Sequence, residues 1–315
     1  MREPVIAILC SGQGRQHAGM FNLTGDAPEA RALFAHATTL LGRDPRSWVR
    51  SAGEGALHQD RAAQLLCTLQ ALSAAAVVAD LLPQRRCVAG YSVGEVAAWS
   101  IAGLIAEAEA LNLVTQRAEA MDATLKGEQG MLFVRGLPRA AIDELCARRE
   151  AAVAIVNPGD AWVLGGRRSA LDSIAIEAVH LGASRVVPVA VRVASHTYLM
   201  AEASPVFREN LAAVRIQRAL QAGTRLFSGI DGTAVFDTLA GLDKLALQIS
   251  HPVQWASCLA SCVEAGARVF FELGPGHALA EMAAGSYPGM AARSFDDFRS
   301  LQGVRAWLQH VTADG

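Results

Sequence analysis

Five residues, Gly90-Tyr91-Ser92-Val93-Gly94, constrain this chain more than any other stretch. They form a G-x-S-x-G element between a short apolar run at 87–90 and a segment of helical character at 93–102. A serine on a sharp strand-to-helix turn exposes its hydroxyl above the end of a sheet, and the flanking glycines permit the turn and close packing. At the helix N-terminus, backbone N–H groups and the helix dipole favour a developing oxyanion. Ser92 is therefore the candidate nucleophile, and the chain around it is expected to contain strand–turn–helix units.

The rest of the chain fits that expectation. Residues 4–10 are an apolar run ending in Ser-Gly-Gln-Gly, which reads as a buried strand followed by a glycine-rich loop. Helical periodicity covers 29–41, 62–82 and 107–125, the last carrying Arg117. Alternating strands and helices predict an α/β fold with a mostly parallel sheet. The middle changes character. Strands are expected at 130–135, 152–156, 162–164 and 184–191, with helices at 138–149 and 169–181 and a turn at Asn157-Pro158-Gly159. That β-α-β-β-α-β order is the ferredoxin-like pattern. The expected architecture is a large α/β-hydrolase-like catalytic domain formed by 1–126 and 193–315, with a small ferredoxin-like subdomain inserted at 127–192.

Composition narrows the function. A chain of 315 residues, 52% hydrophobic and 18% charged, can bury a sizeable core. A formal net charge of −2 gives no general attraction to nucleic acid or an anionic membrane. The longest apolar stretch, 65–82, is interrupted by Thr68, Gln70, Ser73 and Asp80, so a buried helix explains it better than a membrane span. No targeting segment is visible, and the six scattered cysteines lack both a C-x-x-C pair and metal-type histidine spacing. A reduced, cytoplasmic protein without a metal is expected.

A serine nucleophile needs a base. Of eight histidines, His17, His36, His58, His180 and His310 sit in loop-like or helical surface contexts. His196, in Val193-Ala194-Ser195-His196, follows the apolar strand and is expected to begin a helix running through Leu199 and Met200. His251 and His277 also have motif-like neighbours, and spacing alone leaves the choice open.

Along almost its whole length the chain resembles the malonyl-CoA:acyl carrier protein transacylases. Six segments carry the resemblance, in order: Gly12-Gln13-Gly14-Arg15-Gln16, Gly90-Tyr91-Ser92-Val93-Gly94-Glu95, Gln116-Arg117, Ser195-His196, Gln248-Ile249-Ser250-His251-Pro252-Val253-Gln254-Trp255 and Glu272-Leu273-Gly274-Pro275-Gly276. The resemblance implies that Ser92 is the nucleophile and His196 its base. The base would be oriented by a backbone carbonyl, best matched by Gln248, instead of by an aspartate. The N–H groups of Gln13 and Val93 would form the oxyanion hole, and Arg117 would bind the free carboxylate of a malonyl group. Two features depart from the pattern: Tyr91 replaces the usual histidine before the nucleophile, and Ala194-Ser195-His196 is similar to methylmalonyl-selective polyketide domains. The aliphatic Val93 fits malonyl better. The chain also resembles acyltransferase subunits of malonate decarboxylase and free-standing polyketide acyltransferases.

The implied reaction is ping-pong transfer of malonyl from malonyl-CoA through a Ser92 ester to the phosphopantetheine thiol of an acyl carrier protein. Coenzyme A thioester is then a substrate and no cofactor is tightly bound. A monomer outside any complex is expected. Rival readings are an α/β-hydrolase-type esterase or thioesterase and a non-catalytic carrier-docking subunit. The esterase would leave the Gly12 loop and Arg117 unused, and the docking subunit would not need Ser92 and His196.

Overall fold

Val5–Cys10 (β1) is buried at all six positions, as befits the central strand of a sheet covered on both faces. The computed structural model describes residues 5–217 and 220–313, so Pro4, the expected first residue of this strand, lies outside the described residues. The remaining strands are Arg86–Gly90 (β2), Gln129–Arg135 (β3), Ala152–Asn157 (β4), Ala161–Arg167 (β5), Arg185–Val189 (β6), Thr224–Phe227 (β7), Ala267–Glu272 (β8) and Ala291–Ser294 (β9).

Five of these form a wholly parallel sheet in the order β7-β2-β1-β8-β9. Its register pairs Cys10 with Gly90 and Leu9 with Glu272. The carboxyl ends of the three central strands therefore meet. From them leave the Ser11-Gly12-Gln13 loop, the Tyr91-Ser92 turn and the Leu273-Gly274-Pro275 turn. Open α/β sheets bind ligands outside the carboxyl ends of their strands. Strands β7, β8 and β9 went unread in the sequence. β7 and β9 have four residues each, too few to show a period.

The apolar stretch after residue 60 is a buried helix, Asp60–Val77, which packs on the helices Gly94–Ile101 and Glu107–Asp122. Among the described residues no helix is long and apolar enough to cross a membrane.

The other four strands form an antiparallel sheet in the order β4-β5-β3-β6. Its first and third strands in sequence, β3 and β5, lie at the centre, as the ferredoxin-like pattern requires. Leu132, Val134 and Leu164 from the sheet meet Ile142, Leu145, Leu171 and Ile174 from the helices Arg139–Arg149 and Arg168–His180 in a core of their own. Two hydrogen bonds tie this sheet to the Pro252-Val253 segment: Val156 N–H donates to the Val253 carbonyl at 2.8 Å, and Val253 N–H to that of Ala154 at 2.9 Å.

Two local expectations change. His196 does not open a long helix. Thr197 caps a single 3₁₀ turn, Tyr198–Met200, and the helix proper is Ala203–Ala213. His58, read as a surface residue, is buried.

Candidate active site

Ser92 sits between β2 and the helix Gly94–Ile101 with φ of 57°, a left-handed conformation that costs a non-glycine residue energy. The turn is enforced by its neighbours. A Cβ at Gly90 would stand 2.1 Å from the Glu95 nitrogen, and one at Gly94 2.1 Å from the Cys10 carbonyl oxygen. Only glycine fits at either place.

His196 comes from the segment between β6 and the turn Tyr198–Met200 and also has a left-handed φ, 64°. Its backbone N–H donates to the Ile249 carbonyl at 2.7 Å. Its ring bridges two groups: Nε2 lies 2.7 Å from Ser92 Oγ, and Nδ1 lies 2.5 Å from the Gln248 carbonyl oxygen. A carbonyl can only accept, so Nδ1 carries the proton and the Nε2 lone pair faces the serine hydroxyl. Burial, and then the charge of Arg117, push the His196 pKa down to about 3, against the pull of the Gln248 carbonyl. The imidazole is thus held neutral, the state a general base needs.

His251 and His277 do not meet Ser92. His251 Nδ1 stands 3.1 Å from Ser250 Oγ and from the Leu247 carbonyl, and His277 is exposed beside Glu281 and Asp297.

Gln248 closes the helix Thr238–Leu247 and is itself held by its side chain, whose Nε2 donates to Glu95. The same Glu95 carboxylate accepts the Gly229 N–H at 2.9 Å, and burial raises its pKa to about 7. Glu95 follows the elbow directly, so one buried side chain links the nucleophile's turn to the carbonyl that orients the base. Glu272, at the end of β8, plays a similar part on the other flank. It accepts from Ser11 Oγ at 2.6 Å and from the N–H groups of Leu279 and Ala280 at 3.0 and 2.9 Å, and burial raises its pKa to about 8.

Among the described residues, no hydrogen bond takes the backbone N–H of Gln13 or of Val93. The Gln13 side chain donates to Asp60 Oδ1 at 2.9 Å. Arg117 is 1% exposed on the helix Glu107–Asp122. Its Nη1 donates to Gln64 Oε1 at 2.8 Å and faces Met121 Sδ at 3.3 Å, while Nε and Nη2 have no partner. Burial lowers its pKa to about 10, with Asp60 and Glu95 opposing, so it remains a cation at neutral pH.

Ser92, His196 and Gln13 open onto a cleft of about 520 Å³ whose far wall is the antiparallel sheet, through Met131, Phe133 and Val187. Arg15, Arg135 and Arg185 also line it; Arg117 does not. Tyr91 lines the cleft with its ring edge-on to Trp255, the centroids 5.3 Å apart.

Asp60 and Gln64 had gone unremarked in the sequence. The available signal was a pair of polar residues four apart at the start of a largely apolar helix that also carries Arg61, Thr68, Gln70 and Ser73. Glu95 and Glu272 lay within quoted motifs without a role.

The family model described as "Acyl transferase domain" matches residues 8–291. A malonyl CoA-acyl carrier protein transacylase of Mycobacterium bovis is 31% identical over 299 residues, covering 92% of this chain and 96% of that protein. The Haemophilus influenzae protein of the same description is 27% identical, covering 96% of this chain and 98% of its own length. The crystal structure of an acyl-carrier-protein S-malonyltransferase from Burkholderia pseudomallei superposes with a TM-score of 0.87 at 28% identity, covering 96% of this chain and 99% of that one. The malonyl CoA-acyl carrier protein transacylase of Coxiella burnetii does so with a TM-score of 0.90 at 25% identity, covering 98% of each chain. The chain belongs to the acyl transferase domain family, and within it to the malonyl-CoA:acyl carrier protein transacylases.

Proposed function

We propose that this chain moves a malonyl group from malonyl-CoA to the phosphopantetheine thiol of an acyl carrier protein by way of an ester on Ser92. The observation that carries the reading is the bonded series Ser92 Oγ, His196 Nε2, His196 Nδ1 and the Gln248 carbonyl, standing at the cleft.

His196 takes the Ser92 proton as Oγ attacks the thioester carbon, and the Gln248 carbonyl stabilises the imidazolium that forms. The oxyanion lies against the free N–H groups of Gln13 and Val93. Collapse expels the coenzyme A sulfur, which leaves with the proton held by His196. In the second half, the carrier thiol gives its proton to His196 and attacks the ester carbon. The malonyl thioester departs and Ser92 regains its proton. Both thioester partners come and go as substrates, so no resident cofactor is needed.

Arg117 lies behind the open lining of the cleft, near enough for its charge to act on His196, and takes the malonyl carboxylate on its unpartnered Nε and Nη2 edge, whose two donors match two carboxylate oxygens. That pairing also offsets the cationic charge that depresses the His196 pKa, so the base strengthens once the correct substrate is bound. In this reading the subdomain at 127–192 forms one wall of the cleft and the domain of 1–126 with 193–315 carries the chemistry.

The test is the intact mass of the protein after mixing with malonyl-CoA, together with kcat/KM for malonyl-CoA and acetyl-CoA. A malonyl adduct is expected on the wild type and none on Ser92→Ala. Breaking a buried ion pair costs about 3–5 kcal/mol, or roughly two to four decades in rate. Arg117→Ala is expected to lose that much malonyl efficiency while acetyl transfer holds. An adduct on Ser92→Ala overturns the nucleophile, and equal losses for both substrates overturn the carboxylate role of Arg117.

A further inference from the structure

We infer that Asp60 is a positioning residue that sets the dicarboxylic specificity of this site, holding Gln13 and Gln64 in one hydrogen-bonded chain that ends on Arg117. The inference rests on the carboxylate-binding role proposed for Arg117.

Asp60 opens the helix Asp60–Val77 and is 6% exposed. An acidic residue in a first helical turn is ordinary on a surface, where water and the dipole favour it. A buried carboxylate is costly unless hydrogen-bonded and compensated. Here each oxygen has its own donor: Oδ1 accepts from Gln13 Nε2 at 2.9 Å and Oδ2 from Gln64 Nε2 at 2.8 Å. Arg117 lies one residue further along, bonded to Gln64 and not to Asp60 directly.

The direction of each bond matters. An amide has a donor end and an acceptor end. With its NH₂ turned to Asp60, Gln64 must present Oε1 to Arg117, whose Nη1 donates to it at 2.8 Å. The reversed amide would set donor against donor. Nη1 is thereby occupied, and the guanidinium keeps its adjacent Nε and Nη2 donors free as a two-pronged edge. Through Gln13 the same carboxylate steadies the loop proposed to supply an oxyanion-hole N–H. The carboxylate receives both amides at once, one on each oxygen. Asparagine offers an oxygen at one of these two places and an NH₂ at the other, where it meets a donor end unless that neighbouring amide turns over.

The experiment compares kcat/KM for malonyl-CoA and acetyl-CoA in wild type, Asp60→Asn and Gln64→Met, alone and with Arg117→Ala, alongside thermal unfolding. Losing a hydrogen bond to a charged group is worth about tenfold to a hundredfold. Gln64→Met is expected to lower malonyl efficiency by that factor and to leave acetyl efficiency within about twofold, because the Gln13 to Asp60 bond survives. Asp60→Asn is expected to lower the malonyl-to-acetyl ratio by at least about tenfold, with a smaller loss on acetyl as the Gln13 loop loosens. With Arg117→Ala already present, Asp60→Asn should not change the ratio further. A ratio unchanged in both variants overturns the inference, as does a ratio that rises, which would mean that the Asp60 charge repels the substrate. If Asp60→Asn does not fold, Gln64→Met decides alone. A wild type that forms no malonyl ester overturns the proposed function itself, whereas a malonylated wild type with unchanged ratios removes only the role of Asp60.

Discussion

His196 is enclosed beside a cation, and both circumstances favour its neutral form. A group whose folded pKa, about 3, lies below an ordinary histidine's contributes stability present above about pH 6.5 and lost as pH falls toward 3. Glu95 and Glu272 have the opposite sign. Their pKa values are raised to about 7 and 8, so their contribution is present at low pH and lost as pH rises through those values. For catalysis, the low His196 value predicts that the base stays unprotonated in mild acid. The profile of kcat/KM reports the free enzyme. Between pH 7 and pH 5, an imidazole of ordinary pKa would lose roughly twenty- to thirtyfold of its neutral fraction. The second-order rate constant for malonyl-CoA acylation, measured at malonyl-CoA well below KM, should fall by far less. A fall of the full ordinary size would mean that His196 titrates normally and that the enclosed, cationic setting does not govern it.

At the scale of elements, the elbow is a joint between β2 and the helix Gly94–Ile101, made possible by missing side chains. Gly94 touches the Cys10 carbonyl at the end of the neighbouring strand β1, so the helix approaches the sheet as closely as backbone permits. Gly94→Ala is expected to cost about 1–3 kcal/mol or more by overpacking, and to abolish acylation by moving Ser92. Gly285 is the contrast. It lies within the helix Ala278–Ser286, and a Cβ there meets nothing within 4 Å. Gly285→Ala should raise stability by about 0.5–1 kcal/mol. Thermal unfolding of the two variants, with acyl-enzyme yield, checks the pair. A Gly94→Ala protein as stable and active as wild type would show that the close approach is not needed.

At the scale of the whole molecule, the cleft belongs to neither sheet alone. The parallel sheet supplies the loops that carry Gln13 and Ser92, and the antiparallel sheet supplies the facing wall. The bonds between β4 and Val253 join that wall to the segment that also contains Gln248, so the wall and the support of His196 share an anchor. Arg15 follows β1, Arg135 ends β3 and Arg185 begins β6, yet all three line the one cleft. Coenzyme A is a polyanion, and exposed charge attraction weakens as salt shortens the Debye length. KM for malonyl-CoA is expected to rise with ionic strength while kcat changes little. A KM that stays flat from low to high salt would exclude these arginines from binding the phosphates.

The parts whose physics is local were legible in the order of residues. The glycines around Ser92 announced a turn that no other residue can make, the apolar run before Ser11 announced a buried strand, and the strand–helix order of the middle region announced the antiparallel sheet. Arg117 and Ser195-His196 were legible through resemblance, because their side chains are the motif. Resemblance also named Gln248, but the physical reason for it, and much else, lies only in the tertiary structure. The group beside His196 Nδ1 is a backbone carbonyl 52 residues away, and a carbonyl has no side-chain signature. Which carbonyl faces the ring depends on where the helix Thr238–Leu247 ends and how it packs. Spacing left His196, His251 and His277 open and resemblance named His196; the bond to Ser92, the short strands β7 and β9 and the place of Asp60 appear only in the fold. As a letter in the sequence, Asp60 is one more acidic residue at a helix start. It becomes the link between Gln13 and Arg117 only when the helix Asp60–Val77 packs against the helix Glu107–Asp122 and the loop after β1 closes over it, since a hydrogen-bonded chain exists only where separate elements have been brought within 3 Å.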